Sequence, residues 1–289
     1  MSNADSRNES QYKKVDIPAE MPVLALLEMV LYPNLAFPLY VGREVSIKAV
    51  NKSLADGERM ICLLTQRENK QVEHLDQNDL FQVGVVAMIL KMAKAQDGRI
   101  QLLVHGITRV NIEKITQTEP YLSARISVLK DEDGEETETE ALTRNVKKQL
   151  EQAVEMGKFI PPEFLLMIMN IEQPGQLADM VATVLDLKVN ERQYVLETAN
   201  VTERLRMVSV HLNQELQVLA VESKIKGEVQ KKLKKREKDY MLREQMDAIR
   251  KELGETDAKT EELKDLNNNL KKKALPDETR KAAEKELNR

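Results

Sequence analysis

Tryptophan is missing from this sequence, phenylalanine and tyrosine are scarce enough to leave aromatics at 3%, and a single cysteine, Cys62, serves all 289 residues. One thiol excludes an intrachain disulfide and fits a reducing compartment, so a cytoplasmic location is expected. No apolar run approaches the roughly 18 residues of a membrane span, and the amino end lacks the apolar core of a signal peptide. No glycine-rich Walker loop is present, and neither Gly-x-Gly-x-x-Gly nor Gly-x-Ser-x-Gly occurs. The three histidines, His74, His105 and His211, stand too far apart for zinc-type ligand spacing. These absences leave no catalytic constellation, and no catalytic, cofactor-binding or metal residue is assigned. A net charge of −4 gives no global pull toward nucleic acid or an anionic membrane.

What the sequence has in quantity is charge, at 32%, and helical periodicity. From Asn200 to Gly254 there is no proline, and Gly227 is the only internal glycine. Apolar residues recur at helical spacing, through Leu205, Val208, Leu212, Leu216 and Leu219, then Ile225, Val229 and Leu233, then Leu242, Met246, Ile249 and Leu253. Asn200 with Glu203 reads as an N-cap and its capping-box partner, and Gly254 as the stop. One helix of this length reaches roughly 80 Å at about 1.5 Å per residue. No globule of this size can bury such a rod, so its far part is expected to be solvated or packed on another chain.

The remaining chain divides by composition. Residues 1–15 read as a disordered or expression remnant. Residues 16–130 read as a small β domain carrying one helix. Its strands are expected at 59–65, 79–92, 99–105, 107–115 and 121–130, with a hairpin turn at Gln96-Asp97-Gly98 and a break at Gly106. Pro22, Pro33 and Pro38 direct their neighbourhoods to edges, bends and loops. The helix, 42–57, is expected to turn Val45, Ala49 or Val50, and Leu54 inward. The acidic stretch 131–140 reads as a solvated connector entering a helix. Residues 131–200 form an all-α bundle of short helices, with Pro161 and Pro162 opening one and Pro174 another. The long helix, 201–254, follows, and 255–289 reads as further charged helix. The fold class expected is α+β, a small β domain, then a helical bundle, then a very long protruding helix.

Two features stand out as functional. Lys231-Lys-Leu-Lys-Lys-Arg-Glu-Lys238 is a basic run inside the long helix, readable as a solvated face or as a contact for an acidic partner or nucleic-acid phosphates. The thirteen methionines are the other, with Met156, Met167, Met169, Met180 and Met207 in the helical part. Methionine packs cores, and it also builds adaptable apolar surfaces.

Several stretches resemble the ATP-dependent Lon proteases. They are Pro22-Val-Leu-Ala-Leu-Leu-Glu-Met-Val-Leu-Tyr-Pro33, Pro38-Leu-Tyr-Val-Gly-Arg43, Val83-Gly-Val-Val-Ala87, Val104-His-Gly-Ile-Thr-Arg-Val110 and Leu185-Asp-Leu-Lys188. The most specific is Tyr240-Met-Leu-Arg-Glu-Gln-Met-Asp-Ala-Ile-Arg-Lys-Glu-Leu-Gly254. The resemblance implies a PUA-like β domain and a helical bundle, preceding a AAA+ ATPase and a Ser–Lys protease domain whose motifs this sequence does not contain. ATP and magnesium would belong to those other domains, and this region needs no cofactor. It implies a region that recognises unfolded or misfolded proteins and helps assemble a hexamer, itself a monomer or dimer and not an enzyme. Leu31, Pro33, Phe37, Leu39, Met167 and Met169 are the candidate client-binding residues. Leu205, Leu212, Leu219, Leu233 and Met246 are the candidate subunit contacts. The rival readings are a nucleic-acid-binding module and a purely structural coiled-coil adaptor.

Overall fold

The computed structural model describes residues 16–68, 75–94 and 99–252, together with 262, 265, 266, 268–270 and 272. The Gln96–Gly98 turn, His74, Gly254 and most of 255–289 lie outside the described residues. The chain divides into two compact units, Met1–Ala220 and Val221–Arg289.

In the first unit six strands form one sheet: β1 (Glu20–Leu26), β2 (Ala36–Val41), β3 (Met60–Thr65), β4 (Val83–Lys94), β5 (Ile100–Gln117) and β6 (Ser123–Val128). Their order is β2-β5-β4-β3-β1-β6, and β5 also pairs with β6, so that β5, β4, β3, β1 and β6 close on themselves. β1 and β3 are parallel, and the other pairings are antiparallel. The helix α1 (Glu44–Ala55) crosses between the two parallel strands.

Closure gives the sheet two buried faces. Met60, Cys62 and Leu64 join one core with Val86, Val110, Ile112 and Ala124, while Ile61 and Leu63 join a second with Leu39, Val85, Ile89 and Leu102. A strand buried on both faces has no polar alternation, which is why Met60–Thr65 reads as a continuous apolar run. Cys62 is fully buried in the first of these cores, and burial pushes its thiol pKa up to about 12. It packs as a small hydrophobe.

Three local expectations change. Gly106 does not end a strand. β5 continues through it because the backbone of residues 32–35 comes close, and a Cβ there would stand 2.5 Å from the Tyr32 carbonyl oxygen. Gly106 also exchanges backbone hydrogen bonds with Asn34 and Leu35 at 2.9 Å. The register irregularities of β4 fall at Val86/Ala87 and Ile89/Lys91, not at Gly84. On α1 the buried positions are Ser46, Ala49, Val50 and Ser53, one step round the helix from the expected Val45 and Leu54. The Ser53 hydroxyl donates to the Met60 carbonyl at 2.6 Å, which makes a polar side chain tolerable there.

The helical part holds α2 (Glu136–Glu155), α3 (Pro162–Met169), α4 (Pro174–Val184), α5 (Val189–Glu197) and the start of α6 (Val201–Glu252). Pro162 and Pro174 occupy first-turn positions, where a missing N–H costs nothing. α5 has its N-cap at Lys188, with Glu191 accepting from the Lys188 backbone N–H at 2.8 Å. Asn200 caps α6 as expected, its side-chain oxygen accepting from the Glu203 N–H at 3.0 Å. Glu203 pairs with Arg206. α6 runs unbroken through Gly227. Within the first unit it buries Val201, Leu205, Val208 and Leu212. In the second unit every residue from Val221 to Glu252 except Gly227 is exposed.

Candidate substrate-binding surface

The largest departure from expectation lies where the β strands meet the helices. β4 opposes Val86 to Thr108 and Ala87 to Gly106, leaving Ile107 as an extra residue on β5. One inserted residue reverses which side chains face which side of a sheet. Before the bulge Leu102 and Val104 face the helix-side core, and after it Val110 and Ile112 face the enclosed core. Arg109 is thereby turned to the helices. Its Nη2 donates to the Asp179 carboxylate on α4, and its Nε donates to the Leu196 carbonyl at 3.0 Å.

Arg204, in the first turn of α6 and 0% exposed, completes the cluster. Its Nη1 and Nη2 hold both oxygens of Asp131 at 2.9 and 2.7 Å, and its Nε stands 3.5 Å from Asp179. Arg109 also lies 3.6 Å from Asp131. Two guanidiniums and two carboxylates balance in charge, which is the condition for keeping them inside. Full burial pushes the Asp179 carboxyl above the usual carboxylate range, against the pull of Arg109 and Arg204. Partial burial raises Asp131 as well, but there the Arg204 bonds win and hold it below that range. Around the cluster the Tyr32 hydroxyl donates to the Arg192 carbonyl at 2.9 Å, and the Gln193 amide donates to the Val83 carbonyl at 2.8 Å. The acidic connector therefore begins as an anchor. Asp131 is a partner of two arginines, and the helix is already formed at Glu136.

This anchoring decides which apolar groups reach water. Leu31 and Leu39 are core residues, Pro33 is buried beside them, and Phe37 is half-buried against the same core. They offer little apolar surface to water, because β2 alternates with Leu39 and Val41 inward and residues 30–33 turn into the sheet–helix junction. Leu205, Leu212 and Leu219 are buried against their own chain, so they are unavailable as subunit contacts. Leu233 and Met246, in the second unit, remain exposed.

Exposed apolar side chains occur instead in the link after α2 and on α3. Met156 caps the end of α2, Gly157 turns the chain at φ 108°, and Lys158 is tied to Glu215 at 2.6 Å. Phe159 follows at 88% exposure. In α3 the residues Phe164, Leu165 and Ile168 face the core, which leaves Glu163, Leu166 and Met167 on the outer face one turn apart. Leu166 is 65% exposed and Met167 44%. Met169 is half-buried, beneath the Lys147 ammonium that donates to the Met169 and Ile171 carbonyls at 2.8 Å. Of the six expected client-binding residues, Met167 alone lies fully on this surface. Leu166 gave no signal in the sequence because an all-round apolar α3 does not say which side faces out, and Phe159 because it stands in the short link before that helix. Arg204 and Asp179 left a fainter trace, each a charged residue inside an otherwise apolar stripe.

Among the described residues, no group of three or more His, Cys, Asp or Glu is placed to hold a metal ion, and no helix is long and apolar enough to cross a membrane.

The fold defines a class, an α+β domain of curved sheet and short helices from which a long helix continues. The N-terminal domain of the Mycobacterium avium complex Lon protease has this fold. It matches with a TM-score of 0.57 at 20% identity, over 67% of this chain and 98% of that one. The family is settled by sequence. The model of the ATP-dependent protease La (LON) substrate-binding domain matches residues 20–214, and the chain belongs to that family. It is 39% identical over 270 residues to the Lon protease of Brevibacillus choshinensis and 38% identical over 287 residues to that of Geobacter metallireducens. These alignments cover 93% and 99% of this chain but 34% and 35% of the relatives, so the chain spans about a third of their length.

Proposed function

We propose that this substrate-binding region captures unfolded or misfolded protein segments on the apolar surface between Met156 and Met167, for degradation by an ATP-dependent Lon protease. The observation that carries the reading is Phe159, almost wholly in water, followed within one short helix by the exposed Leu166 and Met167. Each such side chain forgoes roughly 1.5–3 kcal/mol that burial would supply. Contiguous exposed apolar groups mark interaction sites. A flexible thioether and a rigid ring suit partners of varied sequence. Native proteins hide the apolar side chains this surface would accept, whereas unfolded ones offer them. Met169 contributes at the patch margin.

The ATPase and the Ser–Lys protease chemistry, with their ATP and magnesium, belong in this reading to parts of the full-length protein outside this region. Assembly into a hexamer is assigned to the exposed α6 stripe of the second unit, including Leu233 and Met246. The setting is the cytoplasm.

The direct test is binding of a labelled, permanently unfolded protein to this chain, compared with its native form. Preference for the unfolded form, reduced about tenfold or more by Phe159→Ser with Leu166→Ser, is expected from losing two buried apolar contacts. Equal affinity for both forms would remove the proposal.

A further inference from the structure

The sequence of α3 says little about which of its faces meets water. Glu163 is its only charged residue, and its last turn, Leu166–Met169, is wholly apolar. Rolling such a helix about its axis exchanges one apolar face for another, so burial discriminates weakly between rotations. One face is nonetheless turned inward, with Ile168 fully buried and Phe164 and Leu165 packed against the core. Among the described residues no side chain caps the first turn. At the other end Asn170 is right-handed, at φ −86°, so the left-handed turn that commonly returns amides to the last carbonyls is not formed.

Lys147, in the middle of α2, supplies what the helix lacks. Its ammonium donates to the Met169 and Ile171 carbonyls, each at 2.8 Å. The Met169 carbonyl is among the last four of an α-helix, which have no intrahelical partner, and a cation there also meets the negative pole of the helix dipole. Two bonds from one nitrogen hold a single side of the α3 terminus toward α2. The base of this tie is itself held. The Asn145 amide donates to the Ser209 hydroxyl at 3.0 Å, and that hydroxyl donates to the Gln149 side chain at 3.0 Å, fastening α2 to α6 on either side of Lys147. The link entering α3 is fastened by the Lys158–Glu215 pair, whose side chains are only 12% and 25% exposed.

We infer that Lys147 is a positioning residue for client capture: its two hydrogen bonds set the rotation of α3 that keeps Leu166 and Met167 in water. Glu163 favours the same face from the first turn, and Lys147 fixes the last one. The lysine acts through α3 and not by touching a client. It holds the surface ready, whereas a helix free to roll would have to be ordered at the moment of binding, which weakens affinity. The inference rests on the client-binding reading and names the residue that shapes its site.

The test compares the parent chain with Lys147→Met, which keeps an apolar stem and removes the donor, and with Lys147→Arg, which restores a donor. Each is studied where its denaturant curve shows it fully folded. The readouts are affinity for a labelled, permanently unfolded protein and the methyl NMR signals of Met167 and Met169, assigned by substitution. Lys147→Met is expected to move both signals and to bind about fivefold or more less tightly, the scale of one or two lost hydrogen bonds. Lys147→Arg should bring signals and affinity back toward the parent. If Lys147→Met does not fold, Lys147→Gln, with its shorter reach, is read in the same way. A merely structural lysine would lower the unfolding midpoint and leave the folded chain's signals and affinity as they were. That result, moved signals with parental affinity, or no recovery in Lys147→Arg would each overturn the inference. A parent that prefers unfolded over native protein, matched by Lys147→Met, removes this inference alone; a parent without that preference removes the client reading and the inference together.

Discussion

Arg204 shows how much one residue can decide here. A fully buried guanidinium at the start of α6 is tenable only because Asp131 takes two of its nitrogens and Asp179 stands beside the third. Removing one partner of such a cluster leaves a charge stranded in the interior. Asp179→Asn is therefore expected to destabilise by about 3–5 kcal/mol, a large part of the ~5–15 kcal/mol that holds a typical domain together. Denaturant unfolding measures it directly. Gly175 has a linked role, since a Cβ there would lie 2.6 Å from both Arg204 Nη2 and Asp131 Oδ2. Gly175→Ala should lower stability by about 1–3 kcal/mol through overpacking. The pH dependence has a definite sign. Asp131 is held below the usual carboxylate range in the fold, so its contribution is present above the unfolded value, about pH 3.9, and is lost as pH falls through the folded one. Melting curves of Asp131→Asn should lose less stability on acidification than those of the parent chain, while lying below them at neutral pH. A parallel pair of curves would show that Asp131 contributes nothing to the acid limb.

At the scale of elements, α3 and α6 are each divided by what they pack against. In α3 an apolar octet has only one face in contact, and the other becomes the proposed client surface. Its substitutions should separate binding from folding. Phe159→Ser and Leu166→Ser remove exposed side chains, so unfolding midpoints are expected to stay within about 0.5 kcal/mol of the parent while client affinity falls. In α6 the difference lies along the axis. The same periodic leucines that look alike in sequence are core at Leu205 and Leu212 and exposed at Leu233. Leu212→Asp should consequently unfold the first unit, not simply loosen an assembly. Leu233→Asp with Met246→Asp should leave the first unit's melting unchanged. If the stripe joins copies of the chain, sedimentation of the parent should show concentration-dependent association that this double variant loses; a strict monomer at high concentration counts against that role. Gly227 sits uncrowded within the helix, and Gly227→Ala should raise local helix stability by about 1 kcal/mol, readable as slower amide exchange around it.

Over the whole molecule, much could be read from sequence because local patterning carried it. The strands near 60, 85, 100 and 125, the proline-opened helices, the Asn200 cap and the continuous α6 all follow from periodicity, capping and ring constraints acting within a few residues. The Lon resemblance in residues 22–43 and 240–254 pointed to the family that the match over residues 20–214 establishes. Tertiary packing alone decided the rest. Whether Leu31 and Leu39 or Phe159 and Leu166 meet water depends on where the sheet closes and how the helices lie on it. That four distant charges, at 109, 131, 179 and 204, form one neutral cluster depends on a single extra residue, Ile107, reversing the faces of β5. Periodicity marks a side chain as apolar or polar and gives its phase on its own element. Only the contacts between elements determine which phase is inside, because burial is a property of the assembled surface and not of any segment of chain.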